Sequence, residues 1–253
     1  MPASALPLSA VLITQNAASQ IEACLDSLTF CAEIVVVDSG STDDTVARAR
    51  NRGARVIECA WLGFGPQKQF AVEQSANDWV LCVDADERVS PELRAAIETV
   101  LRAPSHRAYR FARCNRFMGR YLRHGEGYPD WSLRLFDRRQ ARWSNDAVHE
   151  KVLADCDVGT LAGDLLHDSA ETLERYLAKQ ERYATLAAEE ALARGKRPGT
   201  LRMLASPVVR FVKFYVLRLG FLDGWPGLVH ILIGCRNSYR KYAKMRLFRT
   251  GQT

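Results

Sequence analysis

The first hundred residues alternate short apolar runs with segments of helical spacing. Ser9–Thr14 is an apolar run, and Ser19–Leu28 then carries Ile21, Leu25 and Leu28 at helical intervals. Glu33–Asp38 (EIVVVD) is apolar at consecutive positions, the pattern of a parallel strand buried on both faces. A Ser/Gly/Thr/Asp turn follows, then a helix from about Asp43 to Asn51; the turn's backbone amides can hold an anion, and ordinary N-capping by Ser41 and Thr42 is the plain structural alternative. Ala54–Cys59 predicts a third strand, Phe70–Ser75 part of a helix, and Trp79–Val83 (WVLCV) a fourth strand. Ser90-Pro91-Glu92 opens a helix to Leu101, with Ser as N-cap and Pro at the first helical position. This order predicts an α/β layered sheet with right-handed crossovers. In such sheets ligands bind beyond the carboxyl ends of the strands, where Asp38 and Asp84 both fall.

From Tyr109 to Trp143 the pattern changes to short strands and loops, crowded with arginine and aromatics. Residues 171–194 have helical spacing at Leu173, Tyr176, Leu177, Tyr183 and Leu186, and 195–200 (GKRPGT) reads as a linker. Pro207, Gly220, Gly224, Pro226 and Gly227 are expected to divide the remainder into two short helices. The longest uncharged apolar candidate, Gly224–Cys235, is too short to cross a bilayer and contains Pro226 and His230, so no spanning helix is expected. The N-terminus lacks a basic region and reads as a strand rather than a signal peptide. Seven scattered cysteines without a C-x-x-C pair imply free thiols and a reducing cytoplasm.

The chain has 253 residues and a net charge of +6, an ordinary globular composition. The charge is unevenly placed. Residues 196–253 hold twelve Lys/Arg against the single acid Asp223, a net of +11, and residues 1–195 carry a net of −5. Eleven arginines between 101 and 142, with Arg107, Arg110, Arg113, Arg116, Arg120 and Arg123 every three or four residues, form a field that attracts anionic groups. No helix-turn-helix, zinc-finger or RNA-module signature accompanies them, so no nucleic-acid partner is expected. In the tail, Val208–Leu219 (VVRFVKFYVLRL) places Arg210 and Lys213 near one face, and Arg236, Arg240 and Lys244 lie at i, i+4 and i+8. Apolar and basic character combined in this way predicts a helix lying on an anionic membrane surface.

Chemistry concentrates at two strand ends. Asp84-Ala85-Asp86 follows WVLCV, and carboxylates two residues apart can offer oxygens to one hard cation such as Mg²⁺ or Mn²⁺, which would bridge to a diphosphate. Asp38-Ser39-Gly40-Ser41-Thr42 supplies a carboxylate able to accept hydrogen bonds from a nucleobase or ribose. SAVLITQN, IVVVDSGSTDDT and VLCVDADE together resemble the family 2 inverting glycosyltransferases of the GT-A fold, a nucleotide-diphospho-sugar transferase architecture. That resemblance implies that Asp38 contacts the uracil or ribose of a UDP-sugar donor. It makes Asp86 the principal metal ligand, with Asp84 reaching donor ribose or metal. WLGFGPQK, YPDWSLRLF, VHEK and GFLDG are similar to segments of the bacterial glucosyltransferases that extend the lipopolysaccharide inner core. One departure is Asn16-Ala17-Ala18, where those enzymes often carry an acid after the asparagine.

An inverting transfer needs a base within hydrogen-bond reach of the acceptor hydroxyl. Asp130 in the Y-P-D-W loop and Glu150 in the V-H-E turn are the two candidates, each with a salt bridge to a nearby arginine as its plain structural alternative. Trp131 offers a face for a sugar, and Lys68 and Arg134 are placed to contact diphosphate or acceptor phosphate, or else are surface cations. His124 and His149 are expected as hydrogen-bonded structural groups rather than metal ligands. The expectation is therefore a GT-A catalytic domain over residues 1–165 and a helical, basic, acceptor- or membrane-facing segment over 166–253. By the resemblance it is expected to be a metal-dependent hexosyltransferase acting on the heptose region of a lipopolysaccharide core anchored by lipid A, cytoplasmic and peripheral to the inner membrane. The alternative acceptor is a polyprenyl-phosphate or another envelope glycan; a non-enzymatic nucleic-acid-binding or scaffold protein with a degenerate transferase fold is the reading from a different class.

Overall fold

The computed structural model describes residues 6–146, 150–169, 172–197 and 199–250. The chain divides into two compact units, one of residues 1–113 and 130–167, the other of residues 114–129 and 168–253.

The first unit is built on one mixed sheet. Strands β1 (Leu6–Thr14), β2 (Cys31–Asp38), β3 (Arg55–Glu58) and β4 (Trp79–Asp84) alternate with helices α1 (Ile21–Asp26), α2 (Thr45–Asn51) and α3 (Phe64–Glu73). After β4 come β5 (Glu87–Val89), α4 (Pro91–Val100), β6 (Ala108–Phe117), β7 (Arg120–Tyr121), β8 (Asp130–Asp137), β9 (Ala141–Trp143), β10 (Val152–Ala154) and β11 (Val158–His167). The sheet order is β3-β2-β1-β4-β8-β6-β11-β5, with β7 paired to the end of β6, and β9 and β10 form a separate ribbon. β1 pairs in parallel with both β2 and β4, whereas β8 runs antiparallel to β4 and β6.

Alternation along the central strands explains their unbroken apolar runs. Leu8, Ala10, Leu12, Val36, Leu81 and Val83 pack on one face against Ile21, Leu25, Leu93 and Ile97 of α1 and α4. Val11, Val35, Val37, Val80 and Cys82 pack on the other face against Ala71 and Val72 of α3. With both faces covered, the central stretches of these strands, residues 8–12, 35–38 and 80–83, are buried throughout, as parallel strands between two helical layers require.

The Ser90 cap forms as the sequence predicts: its Oγ accepts the Leu93 amide at 3.2 Å and Pro91 is the first helical residue. The second helix differs. It starts at Thr45, and its first amide is bound by Asp43 Oδ1 at 3.0 Å, while Ser41 and Thr42 are drawn elsewhere by Asp38 and Asn16. The Asp43 carboxylate also accepts the Ala18 amide at 3.1 Å, so an acid from the neighbouring loop reaches the backbone at Asn16-Ala17-Ala18.

Apart from β7 and the end of β6, which fall within its residues 114–129, the second unit is helical. Its helices are α5 (Leu173–Ala193), α6 (Thr200–Phe211), which continues through π-helical turns at Val212–Leu217, and α7 (Gly224–Thr250), preceded by a 3₁₀ turn at Gly220–Asp223. The expected division into two short helices is corrected. Pro207 lies inside α6, and α7 runs for 27 residues, because Pro226 and Gly227 fall in its first turn, where a proline is tolerated. The basic stripe is corrected as well. Arg240 and Lys244 pair with Glu181 of α5, Lys244 Nζ at 2.7 Å, and Arg210 turns inward to Glu126, with its Nε 3.0 Å from the carboxylate. Ala188, Ala191 and Met245 fill the seam between α5 and α7. Among the described residues no single helix is long and apolar enough to cross a membrane; Thr200–Leu217 and Gly220–Arg249 meet that test only together, across a 75° bend.

Candidate active site

Parallel pairing brings Ile13 level with Asp84 and Thr14 level with Asp38, so β1, β2 and β4 end on one edge of the sheet. A cavity of about 430 Å³ opens there, lined by Ile13, Thr14 and Gln15 from β1 and the residue after it, by Trp61, Phe64 and Lys68 around α3, and by Asp84 and Glu150. Trp61 and Phe64 stand half-exposed at its rim with rings 4.8 Å apart, edge to face. Gly65 brings α3 against a neighbouring loop: a Cβ there would lie 2.1 Å from the Ser144 carbonyl.

The centre of the site is a charge cluster. Asp84 Oδ1 lies 3.1 Å from Lys68 Nζ, and Asp84 Oδ2 accepts from Arg134 Nη2 at 3.0 Å. Lys68 also donates to Glu150 Oε1 at 3.0 Å, so one ammonium bridges two carboxylates from distant parts of the chain. Lys68 and Arg134 are each only 8% exposed, which excludes the surface-cation alternative. Both lie over the Trp143 ring, at 4.8 and 5.3 Å from its centre. Burial works against the charge of Asp84, but Arg134 and Lys68 outweigh it and hold its carboxyl well below the usual carboxylate range. Glu87 is fully buried 3.7 Å from Arg134; burial pushes its carboxyl up, and its Oε1 has no hydrogen-bond partner.

The acidic strand ends have different surroundings. Asp38 is buried, and its carboxylate accepts from the Gly40 and Ser41 amides at 3.0 and 2.8 Å and from the Ser41 hydroxyl, which fixes the turn that follows β2. Asp84 and Asp86 also have separate partners. Asp86 Oδ2 lies 3.2 Å from His167 Nε2, at the end of β11, which pairs with β5 directly after Asp84-Ala85-Asp86. Among the described residues no group of three or more His, Cys, Asp or Glu is arranged to hold a metal ion. Asp84 is engaged by two cations, whereas the Asp86 carboxylate and the His167 imidazole, within hydrogen-bond distance of each other, are two donors of the kind a divalent ion uses. An oxygen–nitrogen pair of this kind suits Mn²⁺ better than Mg²⁺. His167 is not among the candidates that the sequence offers, because a single histidine closing an antiparallel strand belongs to no motif and no spacing pattern.

A second cavity of about 420 Å³ is lined by Arg113, Trp131, Ser132, Arg134, Glu150 and Lys151, with other residues. Trp131 is half-exposed, with the Arg110 guanidinium 5.2 Å from its ring centre. Asp130 is bound by the Arg113 fork, Nε at 2.9 Å and Nη2 at 2.7 Å. Arg134 Nη1 is buried without a partner. Glu150 lines both cavities; Asp130 is not among the lining residues of either. Val148 and His149 of the V-H-E turn lie outside the described residues. His124 lies in the other unit, where its Nδ1 is 3.0 Å from the buried Asp223, a structural contact.

Residues 9–152 match the family described as Glycosyl transferase family 2. The chain is 32% identical to the lipopolysaccharide core biosynthesis glycosyltransferase LpsC of Rhizobium meliloti, over 94% of each chain. It is 31% identical to an uncharacterized glycosyltransferase of Rickettsia bellii, over 94% of this chain and 86% of that one. A solved structure of glucosyl-3-phosphoglycerate synthase from Mycobacterium tuberculosis, in complex with Mn²⁺, UDP-glucose and phosphoglyceric acid, is similar at a TM-score of 0.40 and 22% identity, over 53% of this chain and 57% of that one. A parallel α/β half followed by antiparallel strands, a family match over more than half the chain and a full-length relative agree: this protein is a GT-A glycosyltransferase and belongs to glycosyl transferase family 2.

Proposed function

We propose that this protein transfers a hexose, glucose by the sequence resemblance, from a UDP-sugar with inversion onto the heptose region of a lipopolysaccharide core. The observation that carries this reading is Glu150, the acid shared by two cavities of similar size. The donor occupies the cavity at the strand ends, where Trp61 and Phe64 can stack on the base and Lys68 faces the diphosphate. The acceptor occupies the second cavity, with a sugar on Trp131. The name of the Rhizobium relative supports a lipopolysaccharide acceptor.

In this mechanism Glu150 takes the proton of the acceptor hydroxyl as that oxygen bonds to the anomeric carbon and the bond to the diphosphate oxygen breaks. A diphosphate entering the first cavity competes with Glu150 for Lys68, so donor binding itself frees the base. Arg134 holds Asp84 ionised beside the donor. A divalent cation, Mn²⁺ or Mg²⁺, would be held by Asp86 and His167 and would act as a Lewis acid on the diphosphate.

A general base contributes roughly 10²–10⁴ in rate. Glu150→Gln is therefore expected to lower kcat by about that factor with UDP binding retained, and Asp130→Asn to lower it less than about tenfold. The reverse result would move the base to Asp130, and near-normal turnover in both would remove the assignment. A panel of nucleotide sugars, scored for transfer to core oligosaccharide or to polyprenyl phosphate, tests donor and acceptor.

A further inference from the structure

In the helical unit, α6 and its π-helical continuation leave an apolar ridge uncovered. Leu201, Leu204, Val208, Val212 and Val216 recur every three or four residues on one face, with exposures from 44% to 81%. Met203, Ser206, Arg210 and Phe214 are less exposed, and the ion pair to Glu126 ties Arg210 inward. The ridge continues around the bend. Phe211 stacks on Tyr215 at 4.9 Å, Tyr215 meets Phe221 at 6.1 Å, and Phe221, Leu222 and Trp225 are half to two-thirds exposed. A solvent-facing apolar surface of this extent marks a place where something binds.

Its charged surroundings say what binds. Lys213 and Arg202 are exposed along the edge of the ridge, and Arg218 is exposed at its end. The one acid between residues 196 and 253 is Asp223, which is buried and accepts the Arg123 and His124 amides. An apolar face with a tryptophan at one end, flanked by cations and with no exposed acid among the described residues of its own segment, matches the interfacial region of an anionic bilayer. We infer that the ridge from Leu201 to Trp225 inserts into the surface of an anionic membrane, with Arg202, Lys213 and Arg218 on lipid headgroups. The stripe at Arg240 and Lys244 takes no part, because Glu181 holds it. This inference is independent of the transfer chemistry and stands or falls separately from it.

Flotation of the full chain with phosphatidylcholine vesicles, with and without phosphatidylglycerol, tests it. The wild type is expected to float with anionic vesicles, and Val208→Glu/Val212→Glu to lose at least about tenfold in partitioning while melting normally. If that variant fails to fold, Arg202→Glu/Lys213→Glu, which touches exposed side chains alone, is expected to lose binding to anionic vesicles at low salt. Absence of wild-type binding overturns the inference, as does binding unchanged in the variants. A lipid-free dimer in sedimentation that the Val208/Val212 variant dissolves would also overturn it, assigning the ridge to a second copy of the chain.

Discussion

At the scale of single residues the site depends on Arg134. This guanidinium neutralises Asp84 and lies 3.7 Å from the buried Glu87, and its own Nη1 has no partner. Removing one member of a buried ionic set leaves the others uncompensated, at a cost of roughly 3–5 kcal/mol. Arg134→Met is therefore expected to destabilise the protein by about 3 kcal/mol in urea denaturation, a loss far beyond that of a surface arginine. His167→Ala should weaken Mn²⁺ binding, followed by its EPR signal in the presence of UDP, by about tenfold or more, and an unchanged titration would remove His167 from the ligand set. Lys68, Asp84, Arg134 and Glu150 can be singled out in the sequence because each sits in a distinctive segment. That Lys68 joins residues 84 and 150 cannot be read there, since the contact arises from packing α3 beside β4. His167 was harder still: one histidine closing a strand has no spacing signature.

At the scale of elements, the best-marked helix start is also a junction. Ser90 Oγ accepts the Leu93 amide that opens α4 and the Asp164 amide of β11, both at 3.2 Å. Ser90→Ala removes both, so its expected cost is about 2 kcal/mol, the upper end for an N-cap, seen as a lowered Tm with no change in donor affinity. A cost below about half a kcal/mol would show that the β11 contact contributes nothing. The cap was legible because Ser, Pro and Glu act within one turn. The start of α2 is less well marked, because Ser41 and Thr42 suit a cap and a turn equally well, and only the fold brings Asp38 and Asn16 close enough to claim them. α6 and α7 were misread for a related reason. Proline and glycine break a helix only where nothing else holds it, and Pro207 sits in a helix packed along α7.

At the scale of the whole molecule, the uneven charge was visible at once, but its meaning needed the fold. Among the cations of residues 196–253, Arg210, Arg240 and Lys244 are held by Glu126 and Glu181, whereas Arg202, Lys213 and Arg218 lie exposed beside the apolar ridge. The same unit contains a titrating group that couples its stability to pH. His230 lies among Phe117 and Tyr176, at ring distances of 5.2 and 5.9 Å, with Nδ1 buried and unpartnered. Burial, and after it the charge of Arg210, pushes its pKa from 6.5 down to about 4, against a smaller opposing effect of Asp223. The folded chain thus keeps His230 neutral where the unfolded chain already binds a proton. Its contribution is complete above pH 6.5 and is lost as pH falls toward the folded-state value near 4. At about 1.4 kcal/mol per unit, the loss between pH 7.5 and pH 5 is about 2 kcal/mol. His230→Phe keeps an aromatic ring in the cluster and removes the titration. Urea denaturation at the two pH values should therefore show a drop in stability about 2 kcal/mol smaller in the variant than in the wild type. Equal drops would mean that His230 gains a proton partner in the folded protein, and that the acid sensitivity of this unit lies in its carboxylates instead.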